Sequence, residues 1–223
     1  MNKNLFIEAI IKFTCGVILL VLLLFLPAGT LAWSNGWLFM ALLFIPMFCA
    51  GLVMMGKNPT LLRKRLDAKE KELDQKTVVL LSGIMFLAGF ILAGLDFRFG
   101  WSHMPSWLVA LGAALFLLSY LLYAEVLREN TYLSRTIEVQ EGQKVIDTGL
   151  YGIVRHPMYA ATVLLFLSMP VVLGSWPALV VFLAYPAIIA KRIRGEEQVL
   201  EAGLPGYTDY KNRVRYRMLP FIW

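Results

Sequence analysis

The residues best suited to chemistry lie in three polar segments in the last third of the 223-residue chain. They offer guanidinium, imidazole, carboxylate and phenol groups, carried by Tyr151, Arg155, His156, Tyr159, Arg192, Glu196, Glu197, Tyr207 and Tyr210. An arginine can hold a carboxylate through two hydrogen bonds, a glutamate can accept from an ammonium or a hydroxyl, and a tyrosine can stack or hydrogen-bond. The mixture therefore indicates a site for a small zwitterionic cofactor.

Two apolar runs, at residues 158–173 and 176–190, should bring these segments together. The runs are joined by Gly174-Ser175, so we predict a tight helical hairpin whose two ends meet at one membrane surface. The arginine–histidine pair lies directly before the hairpin, and the glutamate pair lies directly after it. Each run is short for a membrane span and contains proline, so whether the hairpin crosses fully stays open.

S-adenosylmethionine carries the groups that such a site would recognise: a carboxylate, an ammonium, a ribose diol and an adenine. Each residue also has a plainer interpretation. Arg155 and Arg192 are of the kind that anchors helix ends among lipid headgroups, and Pro157 could simply begin a helix. Glu196 and Glu197 could form a solvated helix face. The residue types alone leave both interpretations open.

The composition places most of the chain in a membrane. Its residues are 59% hydrophobic and 16% charged, against about half and about a quarter in soluble domains. Four further apolar runs, at residues 5–26, 37–55, 77–95 and 107–123, precede the hairpin. The sequence therefore predicts an all-α, polytopic membrane bundle of about six apolar segments.

Several function classes are disfavoured by the same composition. The net charge is +6, but no nucleic-acid-binding motif accompanies it, so we expect basic membrane anchors and no nucleic acid. Cys15 and Cys49 lie inside apolar runs without a neighbouring cysteine, so neither a disulfide framework nor a metal site is expected. The sequence does not indicate an oligomeric state.

The distribution of basic residues predicts the topology. If the N-terminus is cytoplasmic, the outside loops are residues 27–36, 96–106 and 174–175, and Arg98 is their one basic residue. The positive-inside rule then places both termini in the cytoplasm. We expect a multi-pass protein, in the cell membrane if the source is prokaryotic, with the cofactor site on the cytoplasmic side. Residues 1–123 would form four transmembrane helices and residues 124–223 the cofactor-binding region.

Three smaller elements are also expected. Residues 58–60 can open a short helix, with Pro59 in its first turn. Alternating apolar residues around Glu141-Gly142 weakly suggest an extended hairpin. A separate amphipathic helix is expected from about residue 191 to 202, in the basic and aromatic tail.

The ordered motifs read Gly149, Tyr151, Arg155, His156, Pro157 and Tyr159, then Arg192, Ile193, Glu196, Glu197 and Leu200, then Gly206, Tyr207, Tyr210 and Pro220. Over about residues 130–223 this pattern resembles the isoprenylcysteine carboxyl methyltransferase family, and phospholipid N-methyltransferases look similar here. The resemblance implies an S-adenosylmethionine-dependent membrane methyltransferase. One departure concerns the shape of the pocket, because the family often has glycine two residues after the motif tyrosine, where this chain has Ala160-Ala161.

The resemblance also implies roles for the motif residues. The residues carried over to the cofactor site are Arg155, His156, Pro157, Tyr159, Glu196 and Glu197, with Tyr151, Tyr207 and Tyr210 lining or closing it. We expect Arg192 to orient an anionic acceptor, as the catalytic residue. The acceptor should be lipophilic and enter sideways from the bilayer. O-methylation of a carboxylate is favoured because it needs no general base, whereas an amine would need one, with Glu196 or Glu197 available.

Two rival functions are weighed against the methyltransferase. Membrane sterol reductases resemble the same C-terminal pattern, but they usually have asparagine at the position of Met158 and Arg-Asp at the position of Glu196-Glu197. Their nicotinamide phosphate cofactor would also prefer more positive charge than a glutamate pair offers. The other rival is a non-catalytic lipid-binding membrane protein that kept the same fold.

Overall fold

The computed structural model describes residues 3–66, 73–133, 137 and 139–223, and it is all-helical within them. The helices are α1 Lys3–Ala28, α2 Ser34–Lys57, α3 Pro59–Leu66, α4 Leu73–Phe99, α5 Ser106–Glu129, α6 Pro157–Leu173, α7 Trp176–Phe182, α8 Tyr185–Gly203 and α9 Tyr207–Arg213. A 3-10 turn at Gly149–Gly152 stands between α5 and α6. The predicted all-α class is therefore confirmed.

Five helical segments within the described residues are long and apolar enough to cross a membrane: Leu5–Ala28, Ser34–Lys57, Lys76–Phe99, Ser106–Glu129 and Trp176–Gly203. The sixth apolar helix, α6, has 17 residues, which corresponds to about 25 Å at the helical rise per residue. This length is slightly short of the hydrocarbon core of about 30 Å. Many aliphatic side chains on the long helices are exposed, as lipid-facing residues are. The chain is thus a multi-pass membrane protein, and the orientation of its termini stays a prediction.

Two predicted boundaries differ from the structure. Helix α5 continues to Glu129, so the division expected after residue 123 falls inside one continuous helix. The amphipathic helix expected at residues 191–202 is the second half of α8. Pro186 in the first turn of α8 marks the short break between α7 and α8, because proline cannot donate a backbone hydrogen bond to the preceding turn.

The smaller predicted elements have mixed outcomes. Helix α3 begins at Pro59, as expected. A turn is present at Glu141-Gly142, where the Gln143 amide donates to the Gln140 carbonyl at 3.0 Å. No strand flanks this turn among the described residues, so the extended hairpin is not formed there; the expected strand also includes Glu138, which lies outside them.

A buried aromatic cluster fixes the hairpin to the rest of the bundle. The Phe39 ring lies 5.6 Å from that of Phe90 and 6.0 Å from that of Phe116, measured between centroids. Phe182 of α7 joins the cluster, 5.7 Å from Phe90. Helix α6 packs along α5, while α4 packs against α1, α7 and α8. This packing holds the start of α6 and the second half of α8 at the same end of the bundle.

We predict that Gly94→Ala destabilises the bundle at the crossing of α1 and α4. A Cβ at Gly94 would lie 2.6 Å from the Leu24 carbonyl oxygen, which belongs to the backbone and cannot turn aside. Overpacking of this kind costs about 1–3 kcal/mol. Thermal unfolding in detergent should show a melting temperature lower by several degrees.

Gly83→Ala is the matched control for this substitution. Gly83 lies on the same helix, and a Cβ there would meet no atom of a described residue outside its own helical turn within 4 Å. Its melting temperature should be unchanged or slightly raised, because alanine is the better helix former. Equal effects of the two substitutions would contradict the predicted close crossing.

Candidate functional site

The first motif segment is held by the end of α5 and by α9. Gly149 has φ +50°, and its missing side chain leaves room for the Glu129 carboxylate, which accepts from the Leu150 amide at 3.1 Å. The Tyr151 hydroxyl accepts from the Asn130 amide group at 3.0 Å. The Tyr151 carbonyl accepts from the Tyr210 hydroxyl at 2.8 Å. These contacts place the chain for the arginine–histidine pair that follows.

Arg155 is committed to the protein itself. Its Nε and Nη2 atoms lie 2.8 and 2.7 Å from Oε1 of Glu197. Its Nη1 atom donates to the carbonyls of Val214 and Arg215, at 2.6 and 2.9 Å. Both side chains of the Arg155–Glu197 pair are about 95% buried. Because all three guanidinium nitrogens have protein partners, Arg155 has little capacity left to hold a cofactor carboxylate.

Glu197 lies at the centre of this buried network. The Nε2 atom of His156 is 3.4 Å from its Oε1, and the Nε atom of Arg217 donates to its Oε2 at 2.9 Å. The tail is also paired through the backbone, since the amides of Arg155 and His156 donate to the carbonyls of Tyr216 and Arg217 at 2.9 and 2.7 Å. One carboxylate therefore joins the motif segment, α8 and the tail.

A second network lies one residue away, on another face of α8. The Tyr159 hydroxyl donates to Oε2 of Glu196 at 2.6 Å and accepts from Nε of Arg192 at 3.0 Å. Arg192 and Glu196 are four residues apart, so they share a helix face. Ile193 and Glu197 share the neighbouring face, which is turned into the core.

A cavity opens onto the face of α8 that carries Arg192 and Glu196. Eight of the ten predicted site residues line it: Tyr151, Arg155, His156, Tyr159, Arg192, Glu196, Tyr207 and Tyr210. Pro157 and Glu197 do not. Pro157 is the first residue of α6, and Glu197 is enclosed by its cationic partners. The structure thus brings the predicted residues to one end of the bundle and places eight of them around the cavity.

Tyr207 lines this cavity and carries a buried polar atom that lacks a partner within the described part of the chain. Its hydroxyl is buried and has no hydrogen-bond partner among the described residues. Burial raises the pKa of Tyr207 well above its ordinary value, and the Glu197 and Glu196 carboxylates raise it further. The hydroxyl therefore stays protonated and can donate to a bound ligand. A buried hydroxyl without a partner is costly, so the atom points to an interaction with a ligand.

Sequence reasoning missed two contributors to the site. Arg217 closes the Glu197 network, although in the sequence it is one of several arginines in a basic tail. Lys144 lines the cavity from the loop between α5 and α6. Neither residue stands at a spacing that identifies it, because both reach the site through loop geometry.

The segment that contains most of this site matches a known protein family. Residues 107–203 match the phospholipid methyltransferase family. That family belongs to the isoprenylcysteine carboxyl methyltransferase-like group of membrane methyltransferases, so the predicted resemblance is confirmed. The matched segment runs from α5 to the end of α8 and contains the motif segment, the hairpin and both glutamates. It indicates a membrane methyltransferase.

A weaker similarity points to the rival enzyme class. The chain is 30% identical over 91 residues to the Delta(14)-sterol reductase TM7SF2 of Mus musculus. The aligned segment covers 40% of this chain and spans only 22% of the reductase. This similarity supports the reductase alternative without outweighing the methyltransferase match.

We predict that Glu197→Gln destabilises the site far more than the same change one turn along α8. The substitution leaves two arginines facing a neutral amide in a buried position, which costs about 3–5 kcal/mol. Glu201→Gln, which removes an exposed carboxylate paired with Lys211, should cost less than about 1 kcal/mol. Thermal unfolding of the two variants measures the difference. Similar melting temperatures would show that Glu197 does not hold the segments together.

Proposed function

We propose that the cavity binds S-adenosylmethionine and that the protein transfers its methyl group to a lipophilic acceptor. The observation that carries the proposal is a cavity lined by Tyr207, Glu196 and His156 beside the matched family segment, in which the buried Tyr207 hydroxyl has no partner among the described residues. A hydroxyl donor, a carboxylate and an imidazole can each hydrogen-bond the polar groups of a zwitterionic nucleoside ligand.

The two networks divide the work of the site. The Glu197 network is already satisfied by protein partners, so we assign it to positioning. Among the described residues, Glu196 accepts from Tyr159 through Oε2, and we propose that Oε1 accepts from an ammonium or from ribose hydroxyls. Tyr207 would donate to a polar group of the cofactor, and His156 would border it. These three residues are our proposed cofactor ligands, and Arg155 supports them indirectly.

When bound, S-adenosylmethionine supplies a methyl group on a sulfonium, an electrophile that an ionised acceptor can take directly. The protein then has to orient the reactants and exclude water. The described part of the cavity encloses about 90 Å³, less than the several hundred Å³ of a typical ligand pocket. We therefore expect the non-helical wall formed by Gln143–Ile146 to move outward when the cofactor binds.

For the acceptor, we propose a lipid-soluble carboxylate. Arg192 lines the cavity and is the cation nearest to the Tyr159–Glu196 pair along α8, at a hydrogen-bonded distance of 3.0 Å from the tyrosine. A carboxylate is ionised at neutral pH and needs no base, whereas an amine acceptor would need Glu196 to take a proton. The hydrogen bond from Tyr159 to Glu196 favours a role in binding for this carboxylate over a role as general base.

The charge of the cavity lining is a second observation, beside the sequence similarity, that is compatible with the sterol-reductase alternative. Glu197 is neutralised by Arg155 and Arg217 and is directed away from the cavity. The expected repulsion between a glutamate pair and a nicotinamide phosphate is therefore reduced to that of Glu196, and Lys144 adds a positive charge to the wall. The charge of the cavity therefore does not distinguish a reductase from a methyltransferase, and a measurement of which cofactor binds is needed.

Calorimetric titration of the detergent-purified protein with S-adenosylhomocysteine tests the cofactor proposal. Tyr207→Phe should weaken binding about tenfold without lowering thermal stability, because it removes only a hydroxyl that has no partner among the described residues. Glu196→Gln should weaken binding by at least about tenfold, while Glu201→Gln, on the exposed part of the same helix, should bind like the wild type.

Reduced nicotinamide phosphate cofactor, titrated in parallel, separates the rival classes. Binding of the nicotinamide cofactor alone would replace the methyltransferase by a reductase. If neither compound binds to a folded protein, the enzymatic proposal is overturned and the lipid-binding alternative takes its place.

A kinetic comparison tests the proposed acceptor. Arg192→Gln should lower kcat/KM for an isoprenylated cysteine carboxylate by at least about tenfold, since it removes a charge-assisted contact. Its affinity for S-adenosylhomocysteine should stay within about threefold of the wild type, because Arg192 is not assigned to the cofactor. An equal loss with a lipid amine acceptor would show that Arg192 does not select a carboxylate.

A further inference from the structure

A second polar cavity lies at the end of the bundle opposite the motif cavity. It is formed by the α1–α2 loop, the α4–α5 loop and the α6–α7 turn, and its volume is about 260 Å³. Its polar lining residues include Asn35, Asp96, Ser102 and His103. Helices α5 and α6 separate it from the motif cavity along their whole length, so the two cavities cannot share a ligand.

Asp96 is a buried carboxylate in the lining of this cavity, and it has hydrogen-bond donors but no positively charged partner among the described residues. It is 2% exposed, and its two carboxylate oxygens accept from the Ser102 amide at 2.8 Å and from the Ser102 hydroxyl at 2.7 Å. No lysine or arginine among the described residues forms an ion pair with it. Arg98 lies over the Phe99 ring and beside Gly29 instead.

The contacts with Ser102 fix the loop conformation, but they do not neutralise the negative charge of the Asp96 carboxylate. Two neutral donors satisfy the oxygens, yet the carboxylate lies in the last turn of α4, where the helix dipole adds negative potential. A buried charge at the end of a membrane helix is costly without a partner of opposite sign. The arrangement is therefore suited to a cation that enters the cavity from outside the protein.

The surroundings of the cavity place it at the depth of lipid headgroups. Exposed aromatic residues cluster at this end of the bundle: Trp37, Phe99, Trp101, Trp107 and Trp176. Such a belt marks the interface between hydrocarbon and water. Within the cavity, the rings of Trp33 and Phe97 are stacked with centroids 5.0 Å apart, next to the polar groups.

We propose that this cavity binds the ammonium-bearing headgroup of a phospholipid, with Asp96 as its counter-ion. The exposed Phe97 ring can attract the ammonium as well, whereas Trp33 is buried against it. Helix α2 begins at Ser34 on the wall of the same cavity, without a side-chain cap, so its first-turn amides can face the phosphate of a zwitterionic headgroup. The site is independent of methyl transfer.

Native mass spectrometry of the full chain, titrated with three phospholipids, tests this site. The probes are phosphatidylethanolamine, its N-acetylated derivative, which lacks the positive charge, and phosphatidylglycerol. The wild type should retain phosphatidylethanolamine about tenfold more tightly than the other two lipids. Asp96→Asn, which preserves the size of the side chain, should retain all three equally.

Two further variants control this measurement. Asp209→Asn makes the same chemical change at an exposed position of α9 and should keep the preference. Glu196→Gln should also keep it, which separates this site from any lipid bound as an acceptor in the motif cavity. If Asp96→Asn does not fold, the wild type alone still tests the proposal, because it should retain phosphatidylethanolamine more tightly than the N-acetylated derivative.

The proposal is overturned if the wild type retains the N-acetylated lipid as tightly as the charged one. It is equally overturned if a folded Asp96→Asn variant keeps the wild-type preference. In either case Asp96 serves only to hold the loop through Ser102.

Discussion

The buried carboxylate of Glu197 is the interaction on which the candidate site depends. Glu197 belongs to α8, and its two oxygens contact two other segments of the chain. Arg155 and His156 of the motif segment contact Oε1, and Arg217 of the tail contacts Oε2. Burying a single charge in this way is unfavourable, but the guanidinium groups of Arg155 and Arg217 compensate the carboxylate, and two backbone carbonyls accept the remaining hydrogen bonds of Arg155. The network therefore acts as a rigid support, and its own groups are largely unavailable to a ligand.

This support leaves the adjacent face of α8 free for binding. Glu196 directly precedes the anchored Glu197 on the helix, and its contact with Tyr159 fixes the direction of the carboxylate. Tyr207 completes the cavity from α9, which is tied to the motif segment through the hydrogen bond from Tyr210 to the Tyr151 carbonyl. A site built in this way is positioned before any ligand arrives, as in-line group transfer requires.

The sequence predicted the convergence of these residues but not their division of labour. Arg155, His156 and the glutamate pair had to meet because a two-residue turn joins the runs between them. Which glutamate faces the cavity depends on the rotation of α8 against the core. The spacing of Ile189, Ile193 and Glu197 reveals this rotation, because residues four apart share a face.

Other features depended on contacts that no local pattern encodes. The first polar residues after position 123 suggested the end of a membrane helix, yet α5 continues to Glu129, whose carboxylate accepts from the Leu150 amide. Arg217 owes its role to the path of the tail across the motif segment, and several equivalent arginines surround it in sequence. Helical phase and membrane class were thus readable from the chain, whereas loop and tail paths required the fold.

The proposal of methyl transfer to a lipophilic acceptor rests on the cavity lined by Tyr159, Glu196 and Tyr207. Its most direct test supplies S-adenosylmethionine with a labelled methyl group to membranes that contain the protein and counts the label in the organic extract. We expect labelled lipid-soluble product with the wild type and with Glu201→Gln, and a loss of at least about tenfold with Glu196→Gln. Label that stays in the aqueous phase for the wild type, or equal incorporation with Glu196→Gln, would contradict it.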